Sequence, residues 1–347
     1  MTTTSDSLII LIPVFNDWEA LRLLLPKIDR AFLGSKWKPS VLIVDDGSTE
    51  PLPEAWPEST FDTLQSVQVL HLKCSLGAQR AIALGLYQIH EFTDAGAVVI
   101  MQSNGEDRAE DLPALLTEFD YGVRKELVFA RHSDRPKSLT ARISRGLYRL
   151  IHSVLTGTEA QMDTFSVVPR FAVNRLMASP ELWNHYASAV HRARLPRRLV
   201  PVATGKPLSG ESQTSLGNLL SQAMTAISVF GDQVSLRLLS VSAAFGGFAL
   251  SIVVLTGLIH IFTPFMVPAW ATYMMGSLLG LVLQALTFTI LFAFIVATRR
   301  SGVDFILQRD APFFLLGKTD IPISPPLVQL GRALMLKSTM PAVHERE

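Results

Sequence analysis

The chain of 347 residues is long enough for about two soluble domains, but its composition argues against a fully soluble protein. Hydrophobic residues make up 48% and charged residues 18%, against roughly 25% charged in ordinary soluble domains; the mean hydropathy is +0.31. Lysine plus arginine (31) nearly balances aspartate plus glutamate (30), so no basic surface for nucleic acid is predicted. The single cysteine, Cys74, excludes a disulfide framework.

Short apolar runs alternate with segments of helical period in the first part of the chain. Strands are predicted at residues 8–14, 40–44, 67–72, 97–102 and 126–130. Helices are predicted at residues 18–32, 76–92 and 109–119. This alternation predicts an α/β domain with a mainly parallel sheet flanked by helices. Neither a dinucleotide-binding Gly-x-Gly-x-x-Gly motif nor a P-loop occurs, so a bound phosphate must be held in another way.

Two segments are predicted to be amphipathic helices near a membrane. In residues 141–157 the apolar side chains share one face, and Arg142, Arg145 and Arg149 share the opposite face. This cationic stripe either contacts lipid phosphate or is an ordinary solvated face. Residues 213–237 are almost uncharged and amphipathic, which predicts a helix lying along the membrane interface.

A long uncharged stretch predicts the part of the chain that crosses a membrane. Residues 238–298 contain no Asp, Glu, Lys or Arg. A bilayer core of about 30 Å needs roughly 20 apolar residues per helix, so this length predicts two spans joined by a loop at 263–268. Basic residues lie on both flanks, at Arg237 and at Arg299 with Arg300. The positive-inside rule therefore places both termini in the cytoplasm and predicts a two-pass protein of the inner (cytoplasmic) membrane.

Polar side chains follow the first two predicted strands, at the sheet edge where open α/β sheets bind ligands. Pro13, Phe15 and Asp17 close the first strand, and Asp45 and Asp46 close the second. Carboxylates suit ribose hydroxyls and base N–H groups. Taken alone, the Asp-Asp-Gly-Ser segment is also a common turn sequence.

Four motifs in order resemble those of family 2 glycosyltransferases with a GT-A fold. They read LIPVFND (11–17), VDDGST (44–49), LGAQRAIALG (76–85) and GEDRAEDLP (105–113). With two C-terminal spans, the chain is similar to the branch that includes dolichol-phosphate mannosyltransferase and the undecaprenyl-phosphate sugar transferases. The resemblance implies transfer of a sugar from a nucleotide-diphosphate sugar to a polyprenyl-phosphate type of acceptor.

The resemblance also implies roles for individual residues. The residues implied to hold the nucleotide are Pro13, Phe15, Asp17, Asp45, Asp46, Arg80 and Gln102. Glu106 and Asp107 are the candidate catalytic carboxylates, or they only cap the helix that follows them. The candidates for binding the acceptor or its phosphate are Arg142, Arg145, Arg149, Lys206 and Ser212.

The metal motif of the family is altered in this chain. An Asp-x-Asp sequence normally binds Mg²⁺ or Mn²⁺ on the donor diphosphate, and here it reads Gln102-Ser103-Asn104. Amide oxygens of Gln102 and Asn104 can ligate a hard cation but contribute no charge, so metal affinity is expected to be weakened. Arginines that the family shows before its Gly-x-Ser sequence are replaced by Thr204 and Pro207.

Two functions remain open from the sequence. The first is a membrane glycosyltransferase of envelope glycan or glycolipid synthesis, either independent of metal or using Glu106 and Asp107. The second is a catalytically inactive relative that binds nucleotide, lipid or a glycosyltransferase partner as an accessory subunit. The predicted organisation is a cytosolic GT-A domain (1–212), an interfacial helix (213–237), two spans (238–298) and a cytosolic tail (299–347). The oligomeric state is open, a homo-oligomer included.

Overall fold

The computed structural model describes residues 6–53, 61–132, 164–209, 231–262, 269–299 and 305–322. The chain divides into two compact units. The first contains residues 1–136, 161–215 and 305–347, and the second contains residues 137–160 and 216–304. The described part of the first unit is a sheet with helices on both faces, and that of the second is a pair of long helices.

A mixed sheet forms the centre of the first unit. Its eight described strands are ordered β7-β5-β6-β4-β1-β2-β3-β8, and six of them run in one direction, with β6 and β8 opposed. The strands are β1 (Ser7–Val14), β2 (Lys38–Asp45), β3 (Val67–Leu72), β4 (Ala97–Ile100), β5 (Leu127–His132), β6 (Ser166–Pro169), β7 (Arg197–Val202) and β8 (Leu315–Ile321). The prediction of a mainly parallel sheet flanked by helices is confirmed.

Apolar side chains on both faces of the central strands explain this layering. Ile10 and Ile12 of β1 belong to one buried cluster, and Ile9 and Leu11 belong to another on the opposite face. A strand buried on both sides reads as a continuous apolar run rather than an alternating one. The α-helices among the described residues of this unit are α1 (Trp18–Ala31), α2 (Ala78–Phe92), α3 (Leu112–Tyr121), α4 (Arg170–Met177) and α5 (Tyr186–Arg192), with one further turn, α8 (Leu307–Asp310), near the end of the described chain.

Helix α2 lies unusually close to the sheet at Gly85. A Cβ atom built at this glycine would lie 2.3 Å from Cδ1 of Leu11 and 2.9 Å from Cγ2 of Val44. The missing side chain therefore lets α2 pack directly on β1 and β2. This close packing holds the start of α2 beside the carboxyl ends of those strands.

The sheet extends beyond the predicted strands at both edges. Strand β8 pairs antiparallel with β3, so residues that follow the long helices in sequence complete the sheet of the first unit. Strands β6 and β7 also lie outside the sequence prediction. Residues 305–322 therefore pack as part of the sheet unit, although the sequence analysis assigned 299–347 only as a tail.

The second unit contains two long helices, α6 (Gly231–Phe262) and α7 (Ala269–Arg299). Each contains a stretch long and apolar enough to cross a membrane, Leu236–Ile259 with mean hydropathy 2.2 and Tyr273–Ile295 with 2.4. At a rise of 1.5 Å per residue these stretches are each about 35 Å long. The helices pack on each other, and the hydroxyls of Ser242 and Thr289 lie 3.0 Å apart across the contact.

Two predictions about this region fall largely outside the described residues. The interfacial helix at 213–237 is described only from residue 231 onward, where the chain is already part of α6. The connecting loop at 263–268 is not described. The location of the loop and of both termini therefore stays a prediction.

Candidate functional site

The carboxyl ends of the central strands bring the predicted motifs together at one edge of the sheet. Val14 at the end of β1 is paired with Asp45 at the end of β2, and Ile100 at the end of β4 is one strand away on the other side of β1. The loops that begin after β1, β2 and β4 therefore meet at this edge. In open α/β sheets this edge is where ligands bind.

The loop after β1 is held in place by Asn16, which the sequence analysis did not single out. Asn16 has a φ of 53°, a left-handed conformation that Asn adopts more readily than most residues. Its side-chain oxygen accepts hydrogen bonds from the backbone N–H groups of Thr49 (2.8 Å) and Glu50 (3.1 Å). These bonds fasten the loop after β2 to the loop after β1. Next to it, Phe15 is 49% exposed at the edge, and Pro13 is buried within β1.

Asp45 is buried at the end of β2 and keeps capacity to bind a ligand. Its Oδ1 accepts the backbone N–H of Ser48 at 2.9 Å. Its Oδ2 lies 2.9 Å from Nδ1 of His71, on the neighbouring strand β3. A carboxylate offers about four lone-pair sites. Two of them are used by these described partners, which leaves about two for hydroxyl or N–H groups of a ligand.

Asp46 is more completely used by its own chain. Its Oδ1 accepts the N–H of Leu76 at 2.8 Å, and its Oδ2 accepts the N–H of Gly77 at 2.8 Å and the hydroxyl of Ser75 at 3.0 Å. Three of about four lone-pair sites are therefore occupied within the described residues. The carboxylate holds the turn that leads into α2. The predicted nucleotide contact of Asp46 stays a prediction, and Asp45 is the stronger candidate of the pair.

Asp17 connects the loop after β1 to the altered metal motif. Its Oδ2 accepts the hydroxyl of Ser103 at 2.8 Å. Burial raises the pKa of Asp17 above 3.8, although the bond from Ser103 acts in the opposite direction. The folded protein therefore stabilises the ionised form of this carboxyl less well than water does. A ligand N–H group near Asp17 would favour the ionised form.

The two amides of the altered metal motif bond mainly to their own loop. Nδ2 of Asn104 donates to Oε1 of Gln102 at 3.3 Å, and Nε2 of Gln102 donates to the hydroxyl of Thr164 at 3.4 Å. Oδ1 of Asn104 accepts the backbone N–H of Glu106 at 3.0 Å. Both amide oxygens thus already accept a hydrogen bond inside the loop.

The two candidate catalytic carboxylates differ sharply in exposure. Asp107 is 1% exposed, and its Oδ2 accepts the backbone N–H of Gln102 at 2.8 Å. Its Oδ1 lies 3.6 Å from Nε2 of His132 at the end of β5. Glu106 is only partly buried. Asp107 is thus placed to shape the loop, whereas Glu106 is the more accessible carboxylate.

The donor set does not fit a divalent metal site of the family type. Within the residues that the structure describes, no group of three or more His, Cys, Asp or Glu side chains is arranged to hold a metal ion. The oxygens of Gln102 and Asn104 are neutral and are engaged with their neighbours. Mg²⁺ prefers carboxylate oxygens and gives up its water reluctantly. The metal assignment to Asn104 therefore has no support from the geometry.

A segment after β7 brings Lys206 to the same loop. The N–H of Gly205 donates to the carbonyl of Glu106 at 2.8 Å, and the N–H of Leu208 donates to the carbonyl of Asn104 at 2.9 Å. Lys206 is exposed, and it lines a cavity of about 250 Å³ together with Lys27 and other residues of this region. The structure thus places Lys206 beside the altered metal motif. This proximity could not be seen from the order of residues in the sequence.

Arg80 extends from the first turn of α2 towards an aromatic cluster. Its guanidinium lies 5.2 Å from the ring centroid of Trp183, within the range of a cation–π contact. Trp183 stacks on Phe305 with ring centroids 3.9 Å apart and lies 5.3 Å from Phe314. This cluster joins the residues that follow α7 to the sheet unit. Four further candidates, Arg142, Arg145, Arg149 and Ser212, lie outside the described residues.

Comparison with known proteins gives one consistent group of relatives by sequence. The chain is 24% identical over 259 residues to the undecaprenyl-phosphate 4-deoxy-4-formamido-L-arabinose transferases of Salmonella paratyphi B and Salmonella newport. The match covers 71% of this chain and 75% of each relative. No family model matches the chain.

Comparison of structures also finds a glycosyltransferase. Glucosyl-3-phosphoglycerate synthase of Mycobacterium tuberculosis overlaps 66% of this chain and 80% of its own, at 14% identity and a TM-score of 0.44. Its complex with Mn²⁺, UDP-glucose and phosphoglyceric acid overlaps with a TM-score of 0.45. The sequence relatives confirm the resemblance that the motifs predicted: the chain is similar to the undecaprenyl-phosphate sugar transferases.

Proposed function

We propose that the protein is a membrane glycosyltransferase that moves a sugar from a nucleotide-diphosphate sugar to a polyprenyl-phosphate type of lipid acceptor. The observation that carries this proposal is the buried Asp45 carboxylate at the carboxyl edge of the parallel strands. It is anchored by two donors of its own chain and keeps about two lone-pair sites for a ligand. The similarity to undecaprenyl-phosphate sugar transferases supports the assignment of the acceptor class.

The proposed reaction places few demands on a catalytic base. The anomeric carbon of the sugar loses its bond to the diphosphate oxygen and gains a bond to an oxygen of the acceptor phosphate. The second pKa of a phosphate monoester is about 6, so the attacking oxygen is largely ionised at pH 7. The acceptor therefore brings its own nucleophile. Glu106, as the accessible carboxylate of the loop, then orients the sugar or acceptor rather than removing a proton.

The departing nucleoside diphosphate requires positive charge near it. A metal would normally supply that charge, but the donor set at Gln102 and Asn104 does not fit one. Lys206 is held beside the altered motif through the backbone bonds of its neighbours Gly205 and Leu208, and two further cations, Lys27 and Arg108, line the same cavity. Its ammonium is exposed and carries no competing ion pair among the described residues. We assign it to the diphosphate or to the acceptor phosphate.

The membrane location of the proposed reaction rests on the two long helices. Each has an apolar stretch longer than a typical bilayer core of about 30 Å. Side chains along these stretches are mostly exposed in the structure, with only 6% of each window buried. A lipid environment would remove that apolar surface from water. The proposed topology has the sheet unit and both termini in the cytoplasm, in agreement with the basic flanking residues.

A second function is favoured by one specific observation. The amide oxygens of Gln102 and Asn104 are neutral and bonded within their own loop, as expected if the metal-dependent chemistry has been lost. The protein would then bind nucleotide or lipid as an accessory subunit of another glycosyltransferase. Both functions include the nucleotide contact at Asp45, so a measurement of nucleotide binding does not distinguish them. A measurement of sugar transfer does.

Calorimetric titration of the purified full-length protein tests the nucleotide site. UDP, GDP and their sugars are titrated with Mn²⁺ and with excess EDTA, and Asp45→Asn serves as the site variant. The proposal predicts that at least one nucleotide binds in EDTA and that the variant binds it about ten-fold more weakly, through loss of a charge-assisted hydrogen bond. No binding of any nucleotide by the wild-type protein would contradict the proposal.

A further inference from the structure

We propose that His71, supported by Thr319, is the positioning residue that orients the Asp45 carboxylate towards the nucleotide. The inference rests on the proposed function, because it names the group that prepares the nucleotide-binding carboxylate. Nδ1 of His71 lies 2.9 Å from Oδ2 of Asp45, and Nε2 lies 3.1 Å from the hydroxyl of Thr319. The three side chains form a continuous hydrogen-bonded chain across strands β2, β3 and β8.

The sheet register brings these residues together. Asp45 and His71 are direct partners in the parallel pairing of β2 and β3. His71 in turn lies opposite Gly317 in the antiparallel pairing of β3 and β8, two residues before Thr319. A hydrogen bond of 2.8 Å between Gln68 and the Asp320 carboxylate also joins β3 to β8. The imidazole therefore lies between two fixed neighbouring strands.

The chemistry of the imidazole gives this chain a direction. A carboxylate accepts hydrogen bonds only, so Nδ1 of His71 must carry the proton that is donated to Asp45. In the neutral ring Nε2 is then an acceptor, and the hydroxyl of Thr319 donates to it. The Asp45 carboxylate thus sets the tautomer, and the hydroxyl of Thr319 holds the other ring nitrogen in place. Histidines at metal sites are oriented in a similar way: a hydrogen bond at one ring nitrogen fixes the tautomer and the orientation of the ring.

Orientation of Asp45 from two sides follows from these bonds. The backbone N–H of Ser48 holds Oδ1, and His71 holds Oδ2. With both oxygens held, the plane of the carboxylate is fixed and its remaining lone pairs face a constant direction. A charged group held in this way binds a ligand without losing rotational freedom of its own. Loss of His71 would leave Oδ2 unheld and would allow the carboxylate to rotate.

The position of Thr319 adds a consequence for the whole chain. Strand β8 follows the two long helices in sequence. The hydroxyl of its Thr319 nevertheless bonds to His71, which in turn holds the Asp45 carboxylate on β2. A protein shortened before β8 would keep Asp45 and the motif around it but would lose this support. The segment after the helices is therefore part of the nucleotide site and more than a tail.

The test compares nucleotide affinities of single variants in the full-length protein. His71→Ala removes the bond to Asp45 and is expected to weaken binding of the tightest nucleotide, UDP or GDP, by about five- to ten-fold. His71→Asn keeps an amide N–H near the position of Nδ1 and is expected to remain within about three-fold of the wild type. Thr319→Val is expected to weaken binding by two- to three-fold. His90→Ala is the matched control.

His90 is a suitable control because it resembles His71 in its surroundings but lies elsewhere. Its side chain is 22% exposed, against 21% for His71, and its Nδ1 lies 2.8 Å from the carboxylate of Glu91. It belongs to the last turn of α2, away from the carboxyl edge of the sheet. Its replacement is expected to leave nucleotide affinity unchanged.

A double-variant cycle with Asp45 separates positioning from general stability. Asn at position 45 could still bond to His71, so the cycle uses Asp45→Ala: if His71 acts through Asp45, His71→Ala should have little further effect on affinity in a protein that already carries Asp45→Ala. Equal affinity of His71→Ala and the wild type, or an undiminished effect in the Asp45→Ala background, would overturn this inference alone. Absence of nucleotide binding by the wild-type protein would overturn the proposed function and this inference together.

Discussion

Replacing the two adjacent carboxylates one at a time should separate stability from nucleotide binding. Asp46 accepts two backbone N–H groups and one hydroxyl, at 2.8, 2.8 and 3.0 Å. In Asp46→Asn one oxygen still accepts, but the amide N–H₂ group faces a second donor. With the amide oxygen at the position of Oδ2, the bonds from Ser75 and Gly77 are kept and one bond to a charged acceptor, from the N–H of Leu76, is lost; such a bond is worth about 1.5–3 kcal/mol.

The two bonds that remain are also weakened because the amide oxygen carries no charge, although part of the turn is open to solvent. Ser75 and Gly77 are exposed, so water can offset part of the loss at this turn. We therefore expect Asp46→Asn to lower the free energy of unfolding by about 2–3 kcal/mol. For a domain of this size each kcal/mol lowers the melting temperature by about 2–4 °C. The shift is thus on the order of 4–12 °C, measurable by thermal unfolding of the purified protein.

Asp45→Asn should behave in the opposite way. The new amide oxygen can still accept the N–H of Ser48, and the new N–H₂ can donate to Nδ1 of His71 if the ring changes tautomer. Nε2 of His71 would then donate to the hydroxyl of Thr319, which accepts as readily as it donates. Stability should therefore change by less than about 1 kcal/mol, whereas nucleotide affinity should fall about ten-fold.

Either of two results would contradict these separate roles of Asp45 and Asp46. Asp46→Asn that unfolds at the wild-type temperature would show that the three bonds do not hold the turn before α2. Asp45→Asn that loses stability as much as Asp46→Asn would show that the pair acts as one structural unit. Calorimetry with UDP and GDP on the same preparations supplies the affinities.

Three further predictions concern a pKa, a metal and a topology. Burial raises the pKa of Asp17 in the folded protein above 3.8, so the free energy of unfolding should fall as pH rises through this folded-state pKa. Asp17→Asn should lose this pH dependence when unfolding is measured from pH 3 to 7. The same variant should also bind nucleotide more weakly. Gln102→Asp with Asn104→Asp should make calorimetric nucleotide binding respond to Mn²⁺, and an unchanged response would contradict the view of a lapsed metal site. In a Cys74→Ser background, Thr263→Cys should react with an impermeant thiol reagent on intact cells, whereas labelling only after permeabilisation would reverse the topology.

The sequence predicted the central sheet because its strands are continuous apolar runs. Strand β1 was expected at residues 8–14 and is observed at Ser7–Val14, and β3 was expected at its observed bounds, Val67–Leu72. Helix α1 likewise has its apolar side chains at helical spacing. Such elements carry their own signal, since burial on both faces or on one stripe leaves a period in the sequence.

Strands β6 and β8 could not be predicted in the same way. Strand β6 has four residues and ends in Pro169, too short for a period to be recognised. Strand β8 is largely exposed and contains Gly317, Lys318 and Asp320, which are uncommon in strands. Its place in the sheet depends on pairing with β3, about 250 residues earlier in the chain. Local propensity contains no information about such a partner.

In the candidate site, too, residues with a local sequence signal were predicted, and contacts between segments distant in sequence were not. Asp17 and Asp45 were found because each follows an apolar strand, which places it at the carboxyl edge, and Gln102 was found through the family resemblance. His71 was missed because its role depends on the register of β2, β3 and β8, and the structural use of Asp46 was missed because its partners lie 29 to 31 residues away. The motif gave the residue types at the edge, and only the fold gave their partners.

Transfer of labelled sugar to lipid tests the central proposal most directly. The full-length protein is reconstituted in bilayers containing undecaprenyl phosphate and is incubated with radiolabelled UDP-sugars and GDP-sugars, in excess EDTA and in Mn²⁺. We expect label to enter the lipid fraction with at least one donor in EDTA, and we expect Asp45→Asn to lower this transfer about ten-fold or more. Nucleotide binding without labelled lipid under any of these conditions would contradict it and would favour the accessory function.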